Sequence, residues 1–169
     1  METGLVQKNL YATWNQPYLY EYLLVVNLTK EVSDEVTMEK QALFKQFGDK
    51  TATKTKPHIT IASFLAREAM EETILRYIQR ICSEQSAFEV MLNNFSGFPP
   101  DTIYIRVQDP QPFKQLAKEL KPVREYIRSC SCPPVMLITN PHVTVARSLA
   151  EDVYFNALLQ YSQKTFQVV

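Results

Sequence analysis

The chain has 169 residues, of which 46% are hydrophobic and 21% are charged, a composition typical of one globular domain and unlike that of a disordered or membrane-spanning chain. Lys plus Arg and Asp plus Glu number 18 each, so the formal net charge is zero, which argues against a partner as polyanionic as a long nucleic-acid duplex. No apolar run approaches the roughly 18 residues that a transmembrane helix needs, and no membrane association is expected.

The N-terminus and the cysteines predict a cytoplasmic protein. Residues 1–4 (METG) lack the basic and apolar segments of a signal peptide. Cys82, Cys130 and Cys132 are odd in number and lack the spacing of a disulfide framework. Cys130 and Cys132 could form half of a metal site, but free cytosolic thiols are the preferred interpretation.

The first half of the chain predicts the order strand, helix, strand, helix. Runs of β-branched and apolar residues predict the strands, and apolar residues at helical spacing predict the helices. Ser33 is the predicted cap of the first helix, and Gly48 is its stop signal. The predicted elements are a strand at 20–28, a helix at 33–47, a Lys/Thr-rich loop at 49–56, a strand that begins at His58 and a helix at 67–82.

The second half predicts the same order, with a hairpin in place of the first strand. Pro122 predicts an irregularity in the third helix, because proline lacks the N–H that a helix interior needs. The predicted elements are strands at 87–94 and 101–108, a helix at 111–128, a strand that begins at His142, a helix at 151–161 and a strand at 166–169. This repeat predicts a single domain over 1–169, with two related lobes (18–86 and 87–169) that face each other across a cleft.

The two histidines of the chain lie in nearly identical pentapeptides. Residues 57–61 read PHITI and residues 141–145 read PHVTV, and the chain contains no other histidine. β-Branched residues that alternate with polar ones predict a half-buried strand, in which residues i and i+2 lie on one face about 7 Å apart. Each copy is therefore expected to present one imidazole and one hydroxyl from the same face. The residues so presented are His58, Thr60, His142 and Thr144.

The paired motifs at 58–61 and 142–145 resemble those of the two-histidine (2H) phosphoesterase superfamily, and most closely those of its 2′-5′ RNA ligase-like and cyclic nucleotide phosphodiesterase branch. Residues 95–98, before the predicted strand residues 102–105, are similar to the central hairpin of that family, and the resemblance extends over 20–169. It implies a bilobal α/β (α+β) fold with antiparallel-rich sheets around a central cleft and helices outside. It also implies a metal-independent hydrolase without a cofactor, which acts on 2′,3′-cyclic phosphate or 2′-5′ phosphodiester bonds of RNA ends or nucleotides.

The same resemblance implies roles for the site residues. His142 is assigned as the base and His58 as the acid, and the two threonine hydroxyls would hold the non-bridging phosphate oxygens. Arg147 stands where relatives often have a substrate-binding arginine. Strict alternation places Arg147 on the strand face opposite to His142, so contact with substrate requires the strand to end or bulge there. No His/Asp/Glu cluster with metal-ligand spacing is visible in the sequence.

The expected partner is an RNA end or a small nucleotide, bound by a monomer. One alternative is a non-catalytic module that binds RNA ends or nucleotides, and another is that both motifs are structural. Binding alone does not need two titrating groups, so the complete set of histidines and threonines favours the enzyme. Tyr20, Tyr22 and Phe98 are interpreted as core residues rather than base-stacking residues, and Lys54 and Lys56 as solvated lysines.

Overall fold

A computed structural model of the chain describes residues 7–13, 16–48 and 54–169. Within these residues the chain forms eight β-strands and five α-helices. The strands are β1 (Gln7–Thr13), β2 (Gln16–Asn27), β3 (His58–Arg67), β4 (Leu92–Phe98), β5 (Thr102–Val107), β6 (Met136–Leu137), β7 (His142–Ala146) and β8 (Gln167–Val168). The helices are α1 (Lys30–Phe47), α2 (Glu71–Ser83), α3 (Gln111–Glu119), α4 (Lys121–Ser129) and α5 (Glu151–Tyr161).

The described chain divides into two compact units, and each unit takes segments from both halves of the sequence. The first unit contains the chain up to Val26, Thr60–Phe88 and Pro110–Asn140, and the second contains Asn27–Ile59, Glu89–Asp109 and Pro141–Val169. The two lobes predicted at 18–86 and 87–169 are consecutive halves of the sequence, so they do not coincide with these units. Their existence as lobes stays a prediction.

The first unit is an antiparallel sheet with three helices. Its strands run in the order β1, β2, β3, and β6 pairs with β3 through Ala62 and Leu137. Helix α2 packs against α4, and its buried residues Ile74, Ile78 and Ile81 recur at the spacing of one helix face.

The second unit contains the remaining strands and helices α1 and α5. The start of β3 pairs with β7, and the order continues through β5 and β4 to β8, with every pair antiparallel. Helix α1 packs against β7, and α5 packs against β4 and β5. The core contains residues from both motif strands, since Ile59 and Val143 are fully buried. The predicted α/β class with antiparallel-rich sheets is confirmed.

Several predicted element boundaries need correction. Helix α1 begins at Lys30 instead of Ser33, because the Thr29 hydroxyl accepts the bond from Val32 N–H and caps the helix one turn earlier. The stop signal at Gly48 is confirmed, with φ of 83°. The helix predicted at 67–82 begins at Glu71, because β3 continues to Arg67 and a single 3₁₀ turn follows.

The hairpin and the third helix also differ from the prediction in their limits. The strand predicted at 87–94 begins at Leu92 and continues to Phe98, so the segment expected to be a turn is part of β4. The irregularity predicted at Pro122 is confirmed, because α3 ends before Leu120 and α4 begins at Lys121. None of the described helices combines the length and the hydropathy needed to cross a membrane.

Candidate active site

The two motif strands are neighbours in the sheet of the second unit. Ile59 of β3 lies directly opposite Val143 of β7 in an antiparallel pair, and both side chains are fully buried. Directly opposed residues in such a pair point to the same face of the sheet, and the residues beside them point to the other face. His58 and Thr144, which flank this buried pair in register, are therefore opposite each other on the face away from the core. The two motif strands are therefore neighbours in the sheet, and the assembly of the motif residues into one catalytic set stays a prediction.

Burial along both strands alternates as the sequence predicts. The histidine and threonine of each motif are half-buried, and the β-branched residues between and after them are buried. His58, His142 and Thr144 belong to the second unit, whereas Thr60 belongs to the first, because the division of the chain falls within β3, after Ile59. The place of Thr60 beside the other three residues stays a prediction.

The imidazole of His58 is oriented by the backbone just before it. Its Nδ1 lies 2.8 Å from the carbonyl oxygen of Lys56. A carbonyl oxygen can only accept a hydrogen bond, so Nδ1 carries the proton and donates it. In the neutral ring Nε2 then carries the lone pair, which is the arrangement of a general base that exchanges its proton through Nε2.

The surroundings of His58 favour its neutral form. Burial is the main cause that lowers the pKa of His58 below its ordinary value of 6.5, and the positive charges of Lys40 and Arg147 lower it further. The hydrogen bond to the Lys56 carbonyl acts in the opposite direction and only partly offsets them. At neutral pH this imidazole is therefore ready to accept a proton.

A β-bulge at the end of β7 changes the position expected for Arg147. Thr144 pairs with Tyr104 of β5, but the next pair joins Ala146 to Ile103, so Val145 is an extra residue in β7. Val145 and Ala146 are both buried, and the strand ends at Ala146. Strict alternation, which would keep Arg147 away from the histidine face, therefore does not hold. The guanidinium is close enough for its charge to act on His58, and its contact with substrate stays a prediction.

Two aromatic rings surround His142. The centroid of its imidazole lies 5.0 Å from that of Phe98, edge to face, and 4.9 Å from that of Tyr104. The two aromatic rings stack on each other with centroids 4.2 Å apart. Phe98 is half-buried and packs on both rings, so its interpretation as a core residue stays a prediction. Tyr22 is a core residue as predicted, since it is 2% exposed and stacks on Phe64.

Two residues beside the histidines were missed by the sequence analysis. Tyr104 lies in an ordinary strand pattern whose pairing partner is not visible from the sequence. Lys40 lies in a helix rich in charged residues, where a lysine is expected to be solvated, yet its side chain is 3% exposed. Its Nζ donates a hydrogen bond to the carbonyl oxygen of Thr55, at 2.9 Å.

The described residues contain no group of three or more His, Cys, Asp or Glu side chains that could hold a metal ion. Cys82, Cys130 and Cys132 are free thiols, as predicted. The thiol of Cys132 contacts the sulfur of Met70 at 3.7 Å in the first unit, a contact in a packed interior.

Comparison with known proteins supports the resemblance found in the motifs. A family model described as the 2′-5′ RNA ligase superfamily matches residues 31–168. The match covers most of the chain and includes both histidine motifs and Arg147. The curated proteins contain no match to the chain.

Proposed function

We propose that this chain, which belongs to the 2′-5′ RNA ligase superfamily of two-histidine phosphoesterases, is a metal-independent cyclic phosphodiesterase or 2′-5′ RNA ligase-like hydrolase. Its substrates are RNA ends or nucleotides with a 2′,3′-cyclic phosphate or a 2′-5′ phosphodiester bond. Its chemistry is acid/base catalysis by His58 and His142, without a cofactor. We further propose that the protein is a cytoplasmic monomer, and the free thiols fit the reducing cytoplasm.

The observation that carries this proposal is the pairing of β3 with β7 at Ile59 and Val143. It brings one histidine from each motif to adjacent strands, with a threonine hydroxyl on the same face. Hydrolysis of a phosphodiester needs a base for the attacking water and an acid for the departing oxygen, and two imidazoles of opposite protonation state supply both.

We assign His58 as the base and His142 as the acid for hydrolysis. This reverses the assignment that the resemblance implies. It rests on the lowered pKa of His58, which favours the neutral ring, and on the Nδ1–H bond to Lys56, which leaves the lone pair of that neutral ring on Nε2.

The reaction then proceeds as an in-line displacement at phosphorus. His58 takes a proton from water as the new P–O bond forms, and His142 gives a proton to the ribose oxygen as the old P–O bond breaks. The hydroxyls of Thr60 and Thr144 hold the non-bridging oxygens, whose negative charge grows in the transition state. The positively charged guanidinium of Arg147 stabilises the negative charge of the phosphate. The same groups exchange roles in the ligation direction.

The experiment that tests this proposal is a turnover screen with EDTA present. The substrates are a 2′,3′-cyclic nucleotide, an RNA with a 2′,3′-cyclic phosphate end, ADP-ribose cyclic phosphate and a 2′-5′ oligonucleotide. We expect turnover of at least one substrate at a rate that EDTA does not change. Activity that EDTA abolishes and Mn²⁺ or Zn²⁺ restores would contradict metal independence, and binding without turnover of any substrate would favour the non-catalytic module.

A further inference from the structure

Lys40 is the one buried charged side chain among the residues that the structure describes. It lies on α1, beside a cavity of about 240 Å³ that is also lined by Ser33, Thr37, Gln41 and the 54–57 turn. Burial of an ammonium group costs several kcal/mol unless hydrogen bonds and polar neighbours compensate. The hydrogen bonds of the Lys40 ammonium group must therefore offset the cost of its desolvation.

The ammonium group of Lys40 holds the turn that leads into His58. Nζ donates to the carbonyl oxygen of Thr55 at 2.9 Å, and the next carbonyl, that of Lys56, accepts the Nδ1–H of His58 at 2.8 Å. The residue between them and the histidine, Pro57, is buried and has a fixed φ. Two successive carbonyls of one short turn therefore connect the lysine to the imidazole.

We propose that Lys40 is a positioning residue for His58: it anchors the 54–57 turn to α1 and thereby fixes the orientation and the tautomer of the imidazole. The inference rests on the proposed function only in treating His58 as the reacting base. Lys40 itself need not touch the substrate.

The charge of Lys40 acts together with its hydrogen bond. The groups whose charges bear on His58 come from two elements: Lys40 on α1 and Arg147 after β7, both of which favour the neutral imidazole. Lys54 and Lys56, in the turn itself, are exposed. On β7, Thr144 and His142 face the same side of the sheet as His58. Removal of the Lys40 charge is therefore expected to raise the pKa of His58, while Arg147 keeps part of the effect.

The test is an NMR titration of the imidazoles. The chain has only two histidines, so ¹H–¹⁵N spectra of the ring nitrogens give the pKa and the tautomer of each, and His58→Gln assigns them. Four proteins are compared: wild type, Lys40→Met, Lys40→Arg and, as a matched control, Lys54→Met, which removes an exposed lysine from the same turn.

We expect the proton of neutral His58 to lie on Nδ1 in the wild type. In Lys40→Met the Nδ1–H tautomer is expected to lose population, because the 54–57 turn is no longer anchored to α1. Loss of the Lys40 charge and loss of the Lys56 bond shift the pKa of His58 in opposite directions, so the tautomer is the deciding readout. The tautomer population of His142 should change less than that of His58. Lys40→Arg, which keeps the charge and a donor, should leave the Nδ1–H tautomer closer to its wild-type population than Lys40→Met does. Lys54→Met should leave that population unchanged and the pKa of His58 within about 0.2 of the wild-type value.

The proposal is overturned if His58 has the wild-type tautomer population in Lys40→Met, or if Lys54→Met changes that population by the same amount. If Lys40→Met does not fold, as judged by circular dichroism, Lys40→Leu takes its place with the same expected loss of the Nδ1–H tautomer. The wild-type spectrum also tests the proposal by itself, because a neutral His58 with its proton on Nε2 would contradict the hydrogen bond to the Lys56 carbonyl. None of these measurements needs turnover, so their failure is distinct from a failure of the proposed function.

Discussion

Tyr104 of β5 lies directly opposite Thr144 of β7, and its ring is also within 4.9 Å of the ring centroid of His142. One residue of β5 thus pairs in register with the residue proposed to hold phosphate, and its ring packs on the residue proposed to give a proton. Phe98, from the other strand of the same hairpin, stacks on Tyr104 and completes the aromatic surroundings of that imidazole. We therefore expect the β4–β5 hairpin to help orient the proposed acid, His142.

Removal of the Phe98 ring tests that role. Phe98→Ala takes away the edge-to-face contact with His142, so the imidazole gains freedom and kcat is expected to fall about 10- to 100-fold. Tyr77→Ala is the control, because it removes a partly exposed ring that packs on Tyr126 in the first unit. Steady-state kinetics on the substrate found in the turnover screen provide the measurement. Equal losses in both variants would show that the effect is not specific to His142.

The charge of Arg147, which follows the bulge in β7, is expected to affect the pH dependence of activity through the pKa of His58. The lowered pKa of His58 places the acidic limb of kcat/KM below pH 6.5, because the base must be unprotonated to work. Arg147→Met removes one of the charges that lower this pKa, so the acidic limb should move to higher pH and kcat/KM should fall. The control is Arg124→Met, an exposed arginine of α4. An acidic limb that stays in place in Arg147→Met would contradict the electrostatic connection to His58.

The hydroxyl of Thr144 is expected to contribute through the charge that grows on the phosphate oxygens. Thr144→Ala should raise the activation free energy by up to about 3–4 kcal/mol, and Thr144→Ser, which keeps the hydroxyl, should recover most of it. Because the phosphate is charged before reaction, the Ala variant should also bind a substrate analogue more weakly. Thr139→Ala, at an exposed loop position, serves as the control. Full activity in Thr144→Ala would remove this residue from the proposed site.

Much of this arrangement follows from the sequence alone. The alternation in both motif strands, the stop of α1 at Gly48 and the break before Pro122 all depend on local chemistry, which a sequence displays directly. The pairing of two similar strands could be expected because both carry the same pattern. The features that the sequence could not show are those that depend on contacts with residues distant in the chain.

The bulge at Val145 is an example of such dependence. The bulge is recognised only from the β5 partners of the residues on either side of Val145, and no glycine or other local signal in the sequence indicates it. The burial of Lys40 depends likewise on a turn 15 residues later in the chain. The start of α1 was predicted incorrectly for a local reason, since both Thr29 and Ser33 are good cap residues and the sequence does not say which one is used.

Gly97 of β4 lies against the ring of Tyr154, and this contact predicts a coupled pair. A Cβ at position 97 would collide with the tyrosine hydroxyl, so Gly97→Ala should lower the free energy of unfolding by about 1–3 kcal/mol. The Tyr154 hydroxyl is fully buried and has no hydrogen-bond partner within the described part of the chain, and burial raises its pKa. Tyr154→Phe should therefore leave stability nearly unchanged or increase it.

The double variant Gly97→Ala/Tyr154→Phe provides the measurement for this contact. Because loss of the hydroxyl opens space for the new methyl group, its destabilisation in urea should be smaller than that of Gly97→Ala alone. Additive effects of the two substitutions would show that the glycine is needed for a reason other than the tyrosine.

The central claim is that His58 and His142 act as one acid/base pair, and His58→Ala, His142→Ala and the double variant test it most directly. Each single variant should lower kcat on a 2′,3′-cyclic nucleotide or RNA end by at least about 10²-fold, while affinity for a substrate analogue changes far less. The double variant should be little worse than either single one, because the two groups work as a unit. Lys54→Ala should retain wild-type turnover. Wild-type protein without turnover, together with histidine variants that lose affinity instead of rate, would contradict the claim and identify a binding module.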